Sequence, residues 1–185
     1  WNRMIDLAVF VHEKFSEYTC CNDQVTMSAG ISLHKPCEPI LHLAESSEEA
    51  LKKAKRDKNA VSLFGEATSW TDFAELEHKK YEMQGWIKDG IVSSGFLFSL
   101  CSLADMVGQE KRFREAKADI TLHEMGDFLL WRAKLKYSLA RNIGKSLKGS
   151  EREEAIEKVD HVAEWLERYD SRLKMPLWQI IYNKR

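Results

Sequence analysis

The stretch VTMSAGISLHKPCEPILHLAESSEEALKKAKRDKNAVSLFG, residues 25–65, decides the fold of this chain. It opens on residues 25–33, a run rich in residues that favour β-strands. Small residues stand in the middle of that run, at Ser28, Ala29 and Gly30, and they would let a helix pack closely on the sheet. The run therefore predicts a strand with a helix pressed against one face.

The residues on either side of this strand continue the alternation of helix and strand. Apolar residues recur at helical spacing over residues 2–18, which predicts an amphipathic helix. Two prolines make residues 34–39 a loop, and residues 40–56 again show helical spacing. A short strand is predicted over residues 59–64, where Gly65 closes it. The first third of the chain is thus α+β, with two strands and two helices.

After Gly65 no further strand is predicted, and the rest of the chain reads as a helical bundle. Two capping boxes mark helix starts, at Thr121 with Glu124 and at Ser150 with Glu153. The charged stretch at residues 108–119 is predicted to be a connection, helical in part. The helices are expected at residues 71–86, 91–107, 122–143, 150–166 and 175–182, with Pro176 tolerated in the first turn of the last one.

Composition and charge exclude few classes of function. The formal net charge is −1, so no overall field indicates a nucleic-acid or membrane partner. The cysteines at positions 20, 21, 37 and 101 form no CxxC pair, which indicates reduced thiols and a cytoplasmic protein. No apolar run is long enough to cross a bilayer. The chain opens on Trp1, as a piece of a longer protein would.

Two clusters could carry chemistry. Lys55 and Lys58, three residues apart at the end of the second helix, could clamp phosphate groups. The alternative is a solvated helix end, where cations meet the negative end of the helix dipole. His34, Cys37 and His42 surround a proline loop, but their spacing fits no standard zinc pattern, so no metal site is predicted there.

The helical part is rich in aromatic residues, which are expected to form the core, with one or two of them anchoring a partner protein. They are Trp86, Phe96, Phe98, Phe128, Trp131, Trp165 and Trp178. A basic set lies near the C-terminus, and it either faces solvent or contacts an RNA backbone. Its members are Arg168, Arg172, Lys174, Lys184 and Arg185.

Residues 25–65 resemble the end of a nucleotidyl cyclase palm of the GGDEF type: a strand with SAGI, a loop, a helix ending in Ala-Lys, and an asparagine before the last strand. SAGI followed by a proline loop and I-x-x-x-A-E is similar to the large polymerase/cyclase-like subunit of type III-A CRISPR effector complexes. LLWRAKLKYSLARNI (residues 129–143) and MPLWQIIYNKR (residues 175–185) resemble the C-terminal helical domain of that subunit.

The resemblance implies that residues 1–66 are the C-terminal half of a ferredoxin-like palm and residues 67–185 an all-α helical domain. It implies that the intact subunit makes cyclic oligoadenylate from ATP, with Mg or Mn, when target RNA binds. The metal-binding acids would belong to a GGDD hairpin that does not occur in residues 1–185. No catalytic or metal-binding residue is therefore assigned, and this stretch alone is expected to be inactive.

By match to the family motif, Lys55 is the Ala-Lys lysine that reaches nucleotide phosphates. Lys58 is a looser match, because Asp57-Lys58-Asn59 stands where the cyclase pattern has Gly-Arg-Asn. The implied partners are the other subunits of the effector complex, including its helical small subunit, and the guide and target RNAs. No membrane is implied.

Two other classes of function remain open. One is a diguanylate-cyclase-like signalling enzyme with an unusual helical tail, which a GG[DE]EF signature and a GTP pocket upstream would support. The other is a structural helical module with a degenerate palm, which would bind no nucleotide even in the intact parent.

Overall fold

A computed structural model of the chain describes residues 2–116, 128–143 and 150–183. The chain divides into two compact units, Trp1–Glu77 and His78–Arg185. The first holds a small sheet with its helices, and the second has helices as its regular elements among the described residues, with one isolated β-bridge between Val92 and Ile143. This confirms the predicted fold class, a partial palm followed by helices. The domain boundary expected between residues 66 and 67 stays a prediction, and the first compact unit extends past it.

The first unit follows the predicted order of helix, strand, helix and strand, and then adds a third strand. Its elements are α1 (Asn2–Tyr18), β1 (Ala29–Ile31), α2 (Ile40–Asp57), β2 (Ala60–Leu63), β3 (Glu66–Ser69) and the first half of α3 (Trp70–Lys88). The strands lie in the order β1-β2-β3. Strand β1 runs parallel to β2, with Gly30 opposite Ser62, and β3 runs antiparallel to β2.

Strand β1 is shorter than the predicted run of residues 25–33. Its parallel partner β2 begins at Ala60, and the two residues before it, Lys58 and Asn59, have positive φ angles and are not extended. The amides of Gln24 and Val25 bond instead to the side chain and the carbonyl of Asn22. A turn therefore replaces the first part of the predicted strand.

Gly30 confirms the expected close packing of a helix on this strand. A Cβ atom at Gly30 would lie 2.2 Å from the backbone nitrogen of Leu51 and 2.7 Å from the carbonyl carbon of Ala50, both in α2. Since no side chain fits in that space, only glycine allows α2 and β1 to approach so closely.

The expectation that strands end at Gly65 is wrong, because β3 follows at once. Phe64 and Gly65 have φ angles of 51° and 79°. Positive φ at both central residues of a two-residue loop is the geometry of a type I′ hairpin turn. The inward-facing residues of β3 are Glu66 and Thr68, which are buried although they are polar. The strand therefore shows no hydrophobic alternation in the sequence.

The second unit consists of the remainder of α3, five further helices and two short 3-10 turns among its described residues. The helices are α4 (Ser94–Ala116), α5 (Trp131–Asn142), α6 (Ser150–Asp160), α7 (Val162–Tyr169) and α8 (Lys174–Asn183). The 3-10 turns are Phe128–Leu130 and Asp170–Leu173. Pro176 lies in the first turn of α8, as predicted. No helix in the described parts of the chain combines the length and the apolar character needed to span a membrane.

The charged stretch predicted as a partly helical connection at residues 108–119 belongs to α4 over its described residues, 108–116. Its charges are accommodated by tertiary contacts. Buried Glu110 accepts a hydrogen bond of 2.6 Å from the indole of Trp131 and one of 2.5 Å from Arg114. Lys111 lies 2.9 Å from Asp170. These partners make a helix possible where the sequence shows little apolar periodicity.

Two predicted helices, at residues 122–143 and 150–166, differ from the described structure in their first turn or in being divided into two helices. The capping box at Thr121 and Glu124 lies outside the described residues, and the described part of the long helix at 122–143 begins with a 3-10 turn before α5. The run at residues 150–166 is divided into α6 and α7 at His161, whose ring nitrogen lies 2.8 Å from Glu82 on α3. Helix α6 is described from Ser150 onward, and the helix start and the capping box at Ser150 stay predictions.

Most of the predicted core aromatics are buried. Phe96, Trp131, Trp165, Trp86 and Phe128 are all at most 9% exposed. Trp86 and Trp165 stack with ring centroids 5.4 Å apart. Phe98 is 47% exposed and makes an edge-to-face pair with Trp178 at 6.4 Å. This pair is therefore the part of the aromatic set that is accessible to a partner.

Candidate functional site

The two predicted phosphate-binding lysines line one open groove of about 440 Å³ in the first unit. Lys55 lies in the last turn of α2, and Lys58 follows the end of that helix. The opposite part of the groove comes from the turn before β1, which contributes Asp23, Gln24, Thr26 and Ser28. The structure thus brings Lys55 and Lys58 together with the SAGI segment, at the edge of the sheet where the parallel strands β1 and β2 begin.

The end of α2 determines where Lys58 lies. Its φ and ψ angles are 51° and 158°, and its amide donates to the carbonyl oxygen of Lys55 at 3.4 Å. This is a conformation that L-residues rarely adopt. Asn59 also has a positive φ, and its carbonyl oxygen accepts from the amide of Trp70. Two consecutive residues with positive φ turn the chain from α2 into β2 and leave Lys58 at the groove.

The neighbouring lysines have other partners. Lys52 forms an ion pair of 2.8 Å with Glu48; their hydrogen bond lowers the pKa of Glu48 and raises that of Lys52. Lys53 donates to the carbonyl oxygen of Gly65. Lys55 and Lys58 are exposed, and neither has a side-chain partner among the residues that the structure describes. Their ammonium groups are therefore available to an anion in solution.

The groove residues other than the lysines were not predicted as site residues, because the sequence pattern places them within or next to a strand. Thr26 and Ser28 bring hydroxyl groups, Gln24 an amide, and Asp23 a carboxylate. The two ammonium groups outweigh the one carboxylate, so the lining keeps a net positive charge. The signal that could have found this turn is Asn22, since asparagine bonds readily to the backbone two residues on.

A second groove, of about 340 Å³, shares Asp23 and Thr26 with the lysine groove and extends along α1 to His12. His12 lies within α1, on the side of that helix that faces this groove. In the structure its ring stacks on Trp70, with centroids 4.3 Å apart. The indole nitrogen of Trp70 donates to the carbonyl oxygen of Met27 at 2.8 Å. These contacts attach α1 to the chain segment that forms the wall of both grooves.

No cluster of three or more His, Cys, Asp or Glu side chains that could hold a metal ion occurs within residues 2–116, 128–143 and 150–183. Around the proline loop, His42 lies 3.2 Å from the carboxylate of Glu38. The lysine groove contains the single carboxylate of Asp23 among its lining residues. The described residues therefore suit an anionic group such as phosphate, and they do not form a metal site by themselves.

The basic residues near the C-terminus are engaged within the second unit. Lys174 lies 2.6 Å from Asp105, and Arg172 donates to the carbonyl oxygens of Tyr169 and Arg168. Lys184 and Arg185 lie outside the described residues. Lys174 and Arg172 thus form their bonds with groups of the second unit. These bonds weaken the hypothesis that the basic residues near the C-terminus contact an RNA backbone.

Comparison with known protein families gives one finding, and it concerns the first unit. No curated protein and no solved structure matches the chain. The matched stretch, residues 1–62, contains every residue that lines the lysine groove. Those residues are similar to the family described as Cas10/Cmr2, second palm domain, and this match supports a Cas10-like CRISPR large subunit.

Proposed function

We propose that this chain is the C-terminal part of the large subunit of a type III-A CRISPR effector complex, and that its palm holds the triphosphate of ATP. The observation that carries the proposal is the convergence of Lys55 and Lys58 on one groove within the residues similar to a Cas10/Cmr2 palm. In the intact subunit, this nucleotide would be used to synthesise cyclic oligoadenylate when target RNA binds.

The residues in the groove fit the phosphate part of such a ligand. Two ammonium groups supply charge-assisted hydrogen bonds to phosphate oxygens. The hydroxyls of Thr26 and Ser28 can donate further bonds, and both residues lie beside the lysines in the lining. Bound phosphate would be fixed in position by Lys55 and Lys58, and the two cations would offset the negative charge of the triphosphate.

A divalent ion, Mg or Mn, would supply activation of the attacking hydroxyl and neutralisation of phosphate charge. The described residues of this chain bring together no set of acids for it. The ligands are expected upstream, in the GGDD hairpin that the resemblance implies. The contribution of this chain is then to bind and orient the phosphates.

The second unit is proposed to dock neighbouring subunits of the complex, such as the helical small subunit. Phe98 is 47% exposed although it is a large apolar residue, and it forms a pair with Trp178. Exposed aromatic pairs of this kind are common anchors at protein interfaces. The guide and target RNAs would be reached through the assembled complex.

The test is Lys55→Ala in the intact parent subunit. Hydrogen bonds to charged groups contribute about 1.5–3 kcal/mol. The rate of cyclic oligoadenylate synthesis at subsaturating ATP should therefore fall roughly 10- to 150-fold. Target-RNA binding and the melting temperature should stay close to wild type, since Lys55 is exposed and has no side-chain partner among the described residues.

Arg56→Ala is the matched control, because Arg56 is an exposed cation of the same helical turn that does not line the groove. The rate of cyclic oligoadenylate synthesis by Arg56→Ala should equal that of the wild type. Wild-type turnover in Lys55→Ala would instead identify Lys55 as a solvated surface charge. A parent that used GTP in place of ATP would favour the diguanylate-cyclase alternative, and one that bound no nucleotide would favour the structural module.

A further inference from the structure

The second unit carries a groove of about 450 Å³ between α4 and α5 that the proposed palm site does not involve. Among the described residues, its lining contains two cations and no carboxylate. The polar lining residues are Ser99, Ser102, Lys134, Tyr137, Ser138, Arg141 and Asn142. Apolar Leu103 and Met106 complete the α4 side. A groove of this chemistry attracts anions and offers apolar surface beside them.

The charge of α5 is distributed unevenly between its two sides. The helix carries four basic residues and no acidic one. On the side away from this groove, Arg132 is paired with Glu167 at 2.7 Å. At this groove, the described hydrogen bond of Arg141 is made to a neutral group, the phenol of Tyr137, at 3.1 Å. The positive charge of Arg141 is therefore not cancelled by that bond.

Tyr137 presents an aromatic ring at the same place. It is 64% exposed, and the guanidinium of Arg141 lies 6.0 Å from its ring centroid. An exposed ring held beside an arginine is a platform on which a nucleobase can stack. An acidic peptide would use the cations of the groove but would have no use for the stacking platform.

Asn142 adds a hydrogen-bond acceptor. Its amide nitrogen donates to the carbonyl oxygen and the hydroxyl of Ser138, at 3.0 and 3.2 Å. This orients its side-chain oxygen as an acceptor, which bonds to no described residue. The 2′-hydroxyl of a ribose could donate a hydrogen bond to this oxygen, whereas deoxyribose has no 2′-hydroxyl.

We propose that this groove binds single-stranded RNA, with Lys134 and Arg141 on phosphates, Tyr137 stacked on a base and Asn142 on a ribose. Lys134 and Arg141 are seven residues apart on α5, about 10 Å along the helix axis. A stacked strand carries one charge about every 3.4 Å, so this span covers more than one phosphate. The proposal is independent of the palm site and of the nucleotide bound there.

The test measures binding of the full chain to a fluorescently labelled single-stranded oligouridine of about 15 nucleotides, by anisotropy across a salt series. Each phosphate contact on a single strand adds about 0.7 to the slope of log affinity against log salt. The double variant K134Q/R141Q should reduce that slope by about 1.4. At about 0.1 M salt this corresponds to roughly 25-fold weaker binding.

The matched control is K88Q/R112Q, which removes one lysine and one arginine that are exposed and lie outside the groove. It should bind as the wild type does. Tyr137→Ala should weaken binding roughly 5- to 150-fold, whereas Tyr137→Phe, which keeps the ring, should stay near wild type. Circular dichroism would verify that each variant is folded.

Three outcomes would overturn the proposal. The first is equal binding by the wild type and K134Q/R141Q, and the second is an equal loss in K88Q/R112Q. The third is binding of polyglutamate, or of the matching deoxyribonucleotide strand, as tightly as the RNA at the same salt concentration. Loss confined to the groove variants, with a preference for RNA, would support it.

Discussion

Replacing Gly30 by alanine tests the packing that forms the palm-like unit. The added Cβ would lie 2.2 Å from the Leu51 nitrogen and 2.7 Å from the Ala50 carbonyl carbon. Ordinary contacts between such atoms are about 3.5 Å or more, so a gap of roughly 1 Å must open. The obstructing atoms are helix backbone, which cannot rotate away as a side chain can. Helix α2 must therefore move off β1 as a whole.

The magnitude of the effect follows from this geometry. Overpacking a well-packed site costs about 1–3 kcal/mol, and occasionally more. Alanine also lowers the conformational entropy of the unfolded chain relative to glycine, which offsets about 0.4–1 kcal/mol of this loss of stability. The midpoints of these two ranges give a net loss of roughly 1.3 kcal/mol, which corresponds to a fall in melting temperature of roughly 3–5 °C for a chain of this length. Thermal unfolding followed by circular dichroism measures it, and hydrogen exchange at the amides of β1 locates it.

Gly85→Ala is the control for this experiment. Gly85 lies within α3, and a Cβ there would meet nothing within 4 Å. Alanine should therefore stabilise the helix, by about 0.5–1 kcal/mol. If Gly30→Ala melts at or above the wild-type temperature, α2 and β1 do not approach as closely as described and the reasoning fails.

Two further predictions concern the second unit. Glu110→Ala removes the acceptor of the Trp131 indole hydrogen bond and should destabilise the chain by about 1–3 kcal/mol, because a buried N–H loses its partner. Glu110→Gln keeps an acceptor and should cost less; equal losses in urea denaturation would contradict this role. Burial, helped by the nearby charge of Asp105, raises the pKa of Cys101 from 9.0 to about 12. At pH 8 a thiol reagent should therefore modify the exposed Cys20, Cys21 and Cys37 well before Cys101, and rapid labelling of Cys101 in the folded chain would refute this. The thiol of Cys101 ionises at a lower pH in the unfolded chain than in the folded chain. Its contribution to the free energy of unfolding should therefore be fully present below about pH 9 and should be lost as the pH rises from about 9 to about 12.

The sequence alone determined the elements whose residues carry a repeating pattern. Helices α1 and α2 show apolar residues at helical spacing, and their observed bounds agree with the predicted ones to within a residue or two. The small residues of SAGI predicted a close helix, and Gly30 provides it. The lysine pair at the end of α2 was also visible in the sequence, because its position on the helix is fixed by local geometry.

The tertiary structure decided the features that depend on partners distant in the sequence. Strand β3 buries Glu66 and Thr68, and α4 continues through a charged stretch because Glu110 bonds to Trp131. The wall opposite Lys55 comes from a turn more than twenty residues earlier in the chain. The charged residue Glu110 leaves no hydrophobic period in the sequence, and its burial is made tolerable by hydrogen bonds that only the folded chain supplies.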